Sequence, residues 1–174
     1  ERGYITDVYV TTPSLTTADV KVSTDGAPEG SRLEAAILDG AGETVWTGAP
    51  GLAGVPSAKP WDTEHPVLYR CAVRLLAPDG AELDRQEAAF GFRTARFAAD
   101  GFYLNGKKTF LRGLNRHQSY PYVGYAAPEH LQREDARILK EELGCNAVRT
   151  SHYPQSQYFL DECDRLGLLV FTEL

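Results

Sequence analysis

The sequence predicts a chain in two parts, an antiparallel β-sandwich followed by a parallel α/β unit. Three observations point there. Apolar and polar residues alternate with a period of two up to about residue 95. Beyond it, two stretches of helical spacing are set between short apolar runs. Each of those runs then ends in polar or ionisable side chains, which a strand made only for a core does not need.

In the first part, Val20 and Val22 share one side of "ADVKVS", and Leu33, Ala35 and Ile37 share one side of "RLEAAIL". Tyr69, Cys71, Val73 and Leu75 do the same in "YRCAVRL". Such alternation marks half-buried antiparallel strands. "TDGAPEG", "DGAG" and "APDG" punctuate them, since Asp-Gly accepts positive φ and closes hairpins. About five to seven short strands without a helical stretch give a sandwich of immunoglobulin-like size. This half reads as scaffold. Trp61 in "PWDTEHPVLY" is expected to pack where the chain enters its next strand, with sugar stacking as the alternative. Cys71, Cys145 and Cys163 form no CxxC pair, so they do not make a structural zinc site and are expected to be buried thiols. Cys71 has no partner in its half, which excludes the inter-sheet disulfide of antibody domains.

The second part opens with "FYLNGKKTF", a hairpin turning at Asn105-Gly106. A strand follows in "TFLRGLNRH", then a helix in "APEHLQREDARILKEELG". Pro128 suits its first turn, Glu129 its positive dipole end, and Gly144 its cap. Leu131, Ile138, Leu139 and Leu143 are expected on its inner face. Next come the strand "CNAVR", a helix from Pro154 to about Leu166 capped by Gly167, and the strand "LLVFTEL". Phe159, Cys163 and Leu166 form the inner stripe of that helix. The order β-α-β-α-β implies parallel pairing with right-handed crossovers, and the unbroken apolar runs imply strands covered on both faces.

Parallel strands bring their carboxyl ends to one edge, where α/β sheets bind ligands. The first strand ends in Asn115, Arg116 and His117, the second in Arg149, Thr150, Ser151 and His152, and the third in Thr172 and Glu173. Either histidine alone reads as an ordinary hydrogen-bonding group; the shared edge favours a site. Arg149 is expected to lie deep beside its strand and to need a carboxylate, in a structural ion pair or as the holder of a catalytic acid. Glu173, after an apolar run, is expected to face a cation, a metal or a polar substrate. His117, His152 and Glu173 are zinc-ligand types without the usual spacing. His65 and His130 read as surface residues. No G-x-S-x-G elbow, P-loop or dinucleotide glycine motif is present, and Ser151 beside His152 does not make a triad.

The formal charge is −6 and the basic residues are scattered, so nucleic acid is not an expected partner. No apolar run is long enough to span a membrane, so no membrane partner is expected. "ERGYITDVYV" shows no signal peptide, and the cytoplasm is the expected compartment.

"FYLNGKKTFLRGLNRHQSYPYVGYA", "ILKEELGCNAVRTSHYP" and "FLDECDRLGLLVFTEL" resemble glycoside hydrolase family 2, the family of β-galactosidases, β-glucuronidases and β-mannosidases. "WDTEHPVLYR" and "FGFRTARF" resemble that family's immunoglobulin-like domain and its exit into the barrel. The resemblance implies an immunoglobulin-like sandwich over residues 1–95 and the first three βα units of a (β/α)8 TIM barrel over residues 96–174. It also implies a retaining, exo-acting enzyme on terminal β-glycosides, a homo-oligomer at full length. By the same resemblance His117 and His152, with Asn115, contact the substrate, and Arg149 orients the nucleophile. Glu173 becomes a strand-end acid touching sugar or metal, the one candidate ligand for Mg2+, although Leu174 departs from the small residue usual beside it. Both catalytic glutamates are expected C-terminal to Leu174, so this chain alone is expected to be inactive and its last strand to be an open edge prone to association. "RHQSYPYVGYA" leans toward the β-galactosidases. The alternatives are a β-glucuronidase, a metal-dependent barrel hydrolase, and a non-catalytic sugar-binding or scaffold module.

Overall fold

Alternation with a period of two builds one unit of this protein, and the β-α-β-α-β order builds the other. A computed structural model describes residues 3–173; Leu174, and with it the end of the last expected strand, lies outside the described residues. The first unit comprises residues 3–60 with Val67–Thr94, the second Trp61–Pro66 with residues 95–173.

In the first unit β1 (Tyr4–Ser14), β2 (Thr17–Asp25), β3 (Arg32–Leu38), β4 (Thr44–Gly48), β5 (Leu52–Gly54), β6 (Tyr69–Leu76) and β7 (Glu82–Phe90) form two antiparallel sheets. Their orders are β1-β2-β5 and β4-β3-β6-β7. The inward residues of both sheets, among them Ile5, Val20, Ile37, Val73 and Leu75, make one core. Tyr69, Phe90 and Phe92 stack within it at 5.0–6.0 Å between ring centroids. Asp84 accepts the Ile5 amide at 2.7 Å and Gln86 donates to the Ile5 carbonyl at 2.7 Å, which ties β1 to β7. All three cysteines are free and buried. Burial pushes the Cys71 thiol up to about 11, which keeps it protonated and inert.

The second unit begins with the antiparallel β8 (Ala95–Ala98), β9 (Gly101–Leu104) and β10 (Lys107–Lys108). Asn105 and Gly106 carry the β9–β10 turn with φ of 52° and 78°, as a primed hairpin turn requires. Then β11 (Gly113–Arg116), β12 (Ala147–Thr150) and β13 (Leu169–Phe171) pair in parallel, in that order. Helices α1 (Glu129–Arg137) and α2 (Gln157–Leu166) lie between them in sequence, and Phe159 and Cys163 of α2 pack with Ala136, Leu139 and Val148. Gly113 permits the close approach of β11 to β12: a β-carbon there would sit 2.3 Å from the Ala147 carbonyl oxygen. Buried Asn146 fixes the entry to both strands. It accepts the Arg112 amide at 2.7 Å and donates to the Phe110 carbonyl at 2.9 Å.

Two expectations change. The inner face of α1 is Gln132 and Ala136, joined by Leu139 beyond its end, while Leu143 is 56% exposed. The helix runs on as a π-helical turn over Ile138–Glu142, in which the Leu143 amide donates to Ile138; the wider turn rotates Leu143 off the face. Helix α2 starts at Gln157 rather than Pro154, because Ser156 is still extended, with ψ of 139°.

Trp61 is fully buried. Its indole N–H donates to the Asp164 carbonyl at 2.7 Å, and its own carbonyl accepts from Asn105 at 2.9 Å. Lys140 donates to the Thr63 carbonyl. Gly167, at φ 80°, passes so close that a β-carbon would meet that same carbonyl oxygen at 2.7 Å. A segment from the middle of the sandwich sequence is thus core material for the second unit. Trp61→Ala should cost the second unit about 3–5 kcal/mol. Hydrogen exchange should show α2 and β12 losing protection while β3 and β6 keep theirs; equal loss in both sheets of the first unit would contradict this assignment.

Candidate active site

The carboxyl ends of β11, β12 and β13 do form one edge, and the two faces of the sheet use it differently. Register pairs Arg116 with Thr150 and Asn115 with Arg149. Arg116 and Thr150 lie on the helix side and are buried; Asn115 and Arg149 lie on the other and are exposed.

On the helix side, the Arg116 guanidinium is 5% exposed. It donates to Asp135 at 2.9 Å through Nε and to Gln132 at 2.7 Å through Nη2, and it also bonds Gln155. The Phe159 ring lies 4.0 Å beneath its carbon. Tyr120 engages Asp135 and the Leu131 carbonyl, the latter at 3.0 Å. Burial, then the Asp135 carboxylate, pushes the Tyr120 phenol up to about 12, so it stays a neutral donor. The deep guanidinium expected at Arg149 is therefore Arg116. Alternation along the strands decides this: Arg149 shares its face with Asn115, away from α1 and α2, and is 44% exposed.

On that open face a hollow of about 170 Å³ is lined by Gly113, Asn115, Ala147, Arg149 and Phe171, among others. Glu173 is tied to Arg149 of that lining. Its Oε1 accepts from Arg149 Nε at 2.7 Å and its Oε2 meets His152 Nδ1 at 2.8 Å. Asn115 Oδ1 accepts from Arg149 Nη1 at 3.4 Å. The Glu173 amide donates to Thr150 Oγ1 at 3.2 Å. His117 stands edge-on to His152, with ring centroids 5.6 Å apart. Asn115, His117, Arg149, His152 and Glu173, chosen from three separate stretches of sequence, thus form one connected group. His65 and His130 are exposed elsewhere. The Glu173 carboxylate can only accept, so His152 Nδ1 is the donor of this contact. The His152 contact, followed by the Arg149 guanidinium, holds the Glu173 carboxyl below its ordinary value.

Glu173 Oε1 is engaged by Arg149 and Oε2 by His152. Among the described residues no three His, Cys, Asp or Glu side chains are placed to hold a metal ion. Among the described residues the arrangement fits neither Mg2+ on Glu173 nor zinc on His117, His152 and Glu173. Sequence reasoning missed Gln132, Asp135 and Gln155. The available signal was Gln132 and Asp135 at helical spacing from Leu139, polar groups where a plain core face would be apolar.

Residues 3–93 match the family model of the glycosyl hydrolases family 2, and residues 96–174 match that family's TIM barrel domain. The chain belongs to glycoside hydrolase family 2. It is 59% identical over 123 residues, 71% of its length, to a β-galactosidase of Thermoanaerobacterium thermosulfurigenes. It is 34% identical over 188 aligned positions, 99% of its length, to a putative β-glucuronidase of Formosa agariphila. It spans 17% and 23% of those two proteins. The solved Bifidobacterium dentium β-glucuronidase, complexed with coumarin-3-O-glucuronide, superposes with a TM-score of 0.89 at 28% identity, over 99% of this chain and 31% of that one. The last strands therefore lie in an immunoglobulin-like plus TIM barrel architecture, of which the chain carries the start of the barrel.

Arg116→Met should destabilise the second unit by about 3–5 kcal/mol, because Asp135 is left without its cation. Adding Asp135→Asn should recover part of that loss in denaturant unfolding; strict additivity would mean the pair is not coupled. Glu173 gives a pH signature. Its folded pKa is depressed below the ordinary 4.5, so its contribution is present above that value and is lost as pH falls through the depressed one. Thermal unfolding between pH 7 and pH 3 should be steeper in pH for the parent than for Glu173→Gln; parallel curves would contradict the pairing.

Proposed function

We propose that this chain is part of a retaining, exo-acting glycoside hydrolase that cleaves terminal β-glycosides, with β-galactosides as substrate. The observation that carries the proposal is the connected group Asn115, His117, Arg149, His152 and Glu173 at one strand edge, in a chain of family 2. His152, with Nδ1 held by Glu173, offers Nε2 to a sugar hydroxyl, and His117 stands beside it. Arg149 has five N–H donors in a rigid fork. Glu173 and Asn115 use only part of them, and the remainder can orient a nucleophilic carboxylate.

Retaining hydrolysis needs an acid/base and a nucleophile about 5–5.5 Å apart. Glu173 supplies neither, because its oxygens are held by Arg149 and His152, and Asp135 is held by Arg116 and Tyr120. In this reading the described residues bind and orient, and the two catalytic carboxylates are contributed from outside them.

The preference for a galactoside rests on the 59% identity with the Thermoanaerobacterium β-galactosidase. The β-glucuronide reading remains the second one, favoured by the Formosa relative that aligns along nearly the whole chain and by the Bifidobacterium dentium fold.

The test compares 4-nitrophenyl β-galactoside and β-glucuronide with the full protein and with this chain alone. We expect the full protein to prefer the galactoside and this chain alone to stay at the buffer rate. His152→Ala should lower kcat/KM by about 10- to 100-fold, the worth of one or two strong hydrogen bonds. Preference for the glucuronide would install the second reading, and turnover by the isolated chain would overturn the division of labour.

A further inference from the structure

The group at the strand edge does not stop at the histidines. Aromatic rings continue from it in one row. His152 lies 5.6 Å from His117, His117 lies 6.2 Å from Tyr153, and Tyr153 lies 5.5 Å from Tyr125, centroid to centroid. The row runs from the edge onto the loop after β11, where Tyr125 is 65% exposed.

The row is held in place. The Gln118 amide donates to the Tyr153 hydroxyl at 3.1 Å. Tyr120 and Gly124 exchange backbone hydrogen bonds at 3.1 and 2.9 Å, closing the loop that leads into Tyr125. The Tyr120 hydroxyl anchors that loop to α1 through Leu131 and Asp135. An open ring on a fixed loop loses little conformational freedom when a flat ligand settles on it. Aromatic faces suit the C–H surface of a sugar or the face of an aryl ring.

We propose that Tyr125 and Tyr153 form the wall that receives the leaving-group side of the substrate, a ring-bearing aglycone. This rests on the glycosidase reading and deepens it. An exo-acting site takes the terminal sugar at the histidines, so a row leading from them to an exposed loop meets what lies beyond the scissile bond. Tyr125 and Tyr153 are specificity-determining residues; they touch the leaving group and take no proton.

The experiment uses the full protein and three substrates of the same terminal sugar: a 4-nitrophenyl glycoside, a disaccharide and a glycosyl fluoride. The fluoride has no ring on its leaving-group side. Tyr125→Ala should lower kcat/KM about 3- to 10-fold for the two ring-bearing substrates, mainly through KM, the worth of one aromatic contact. It should leave the fluoride unchanged. Tyr125→Phe, which keeps the ring, should behave as the parent. A loss confined to the 4-nitrophenyl glycoside or to the disaccharide supports the wall and tells aryl from sugar recognition. Equal losses on all three substrates, or no loss on either ring-bearing one, would overturn the proposal. A parent protein that turns over none of them, the fluoride included, would overturn the glycosidase reading itself and the wall with it.

Discussion

A guanidinium without water must find its partners in protein, and Arg116 meets that constraint with both helices at once. Asp135 and Gln132 come from α1, Phe159 from α2, and Gln155 from the segment after β12. One side chain therefore sets where both helices sit against the end of β11. Its backbone is part of the same arrangement: the Arg116 carbonyl accepts the Ser151 amide at 3.0 Å, which places the residue just before His152. The candidate site on the opposite face inherits its geometry from this buried network.

The two arginines of the edge show how register divides labour. One residue of offset along paired strands sends Arg116 into the helix layer and Arg149 to the open face. The first is surrounded and structural. The second is half open, with Glu173 and Asn115 fixing part of its fork. Glu173 in turn joins Arg149 to His152, so the residues proposed to orient the nucleophile and to bind the sugar are held by one carboxylate. Preorganised charge of this kind needs no rearrangement when a polar ligand arrives.

Much of this was legible in the residues. The alternation of Tyr69, Cys71, Val73 and Leu75 announced a half-buried strand, and all four are buried. Asn105-Gly106 announced its hairpin because few other pairs accept two positive φ values. The polar ends of three apolar runs announced a shared edge, since parallel pairing leaves them nowhere else to go. What stayed hidden depends on facts outside any local window. Which arginine is buried depends on the pairing of β11 with β12, and Arg149 looked the deeper because its strand is the more apolar. The π-helical turn after α1 is invisible to a count at fixed helical spacing. Trp61 sat among sandwich strands, and no spacing in its neighbourhood shows that its contacts come from Asn105 and Asp164.

That last feature bears on how such a chain can be altered by recombination. A crossover in the linker near residue 95 looks harmless, because it falls between the two units in sequence. It would nonetheless pair the α/β unit of one parent with the Trp61–Pro66 segment of another, replacing part of its core with a stranger. Gly167 leaves no room for error there, since it lies against the Thr63 carbonyl. The heritable module is therefore larger than the unit it serves, and exchange within this family should preserve residues 61–66 together with the strands and helices that follow residue 95.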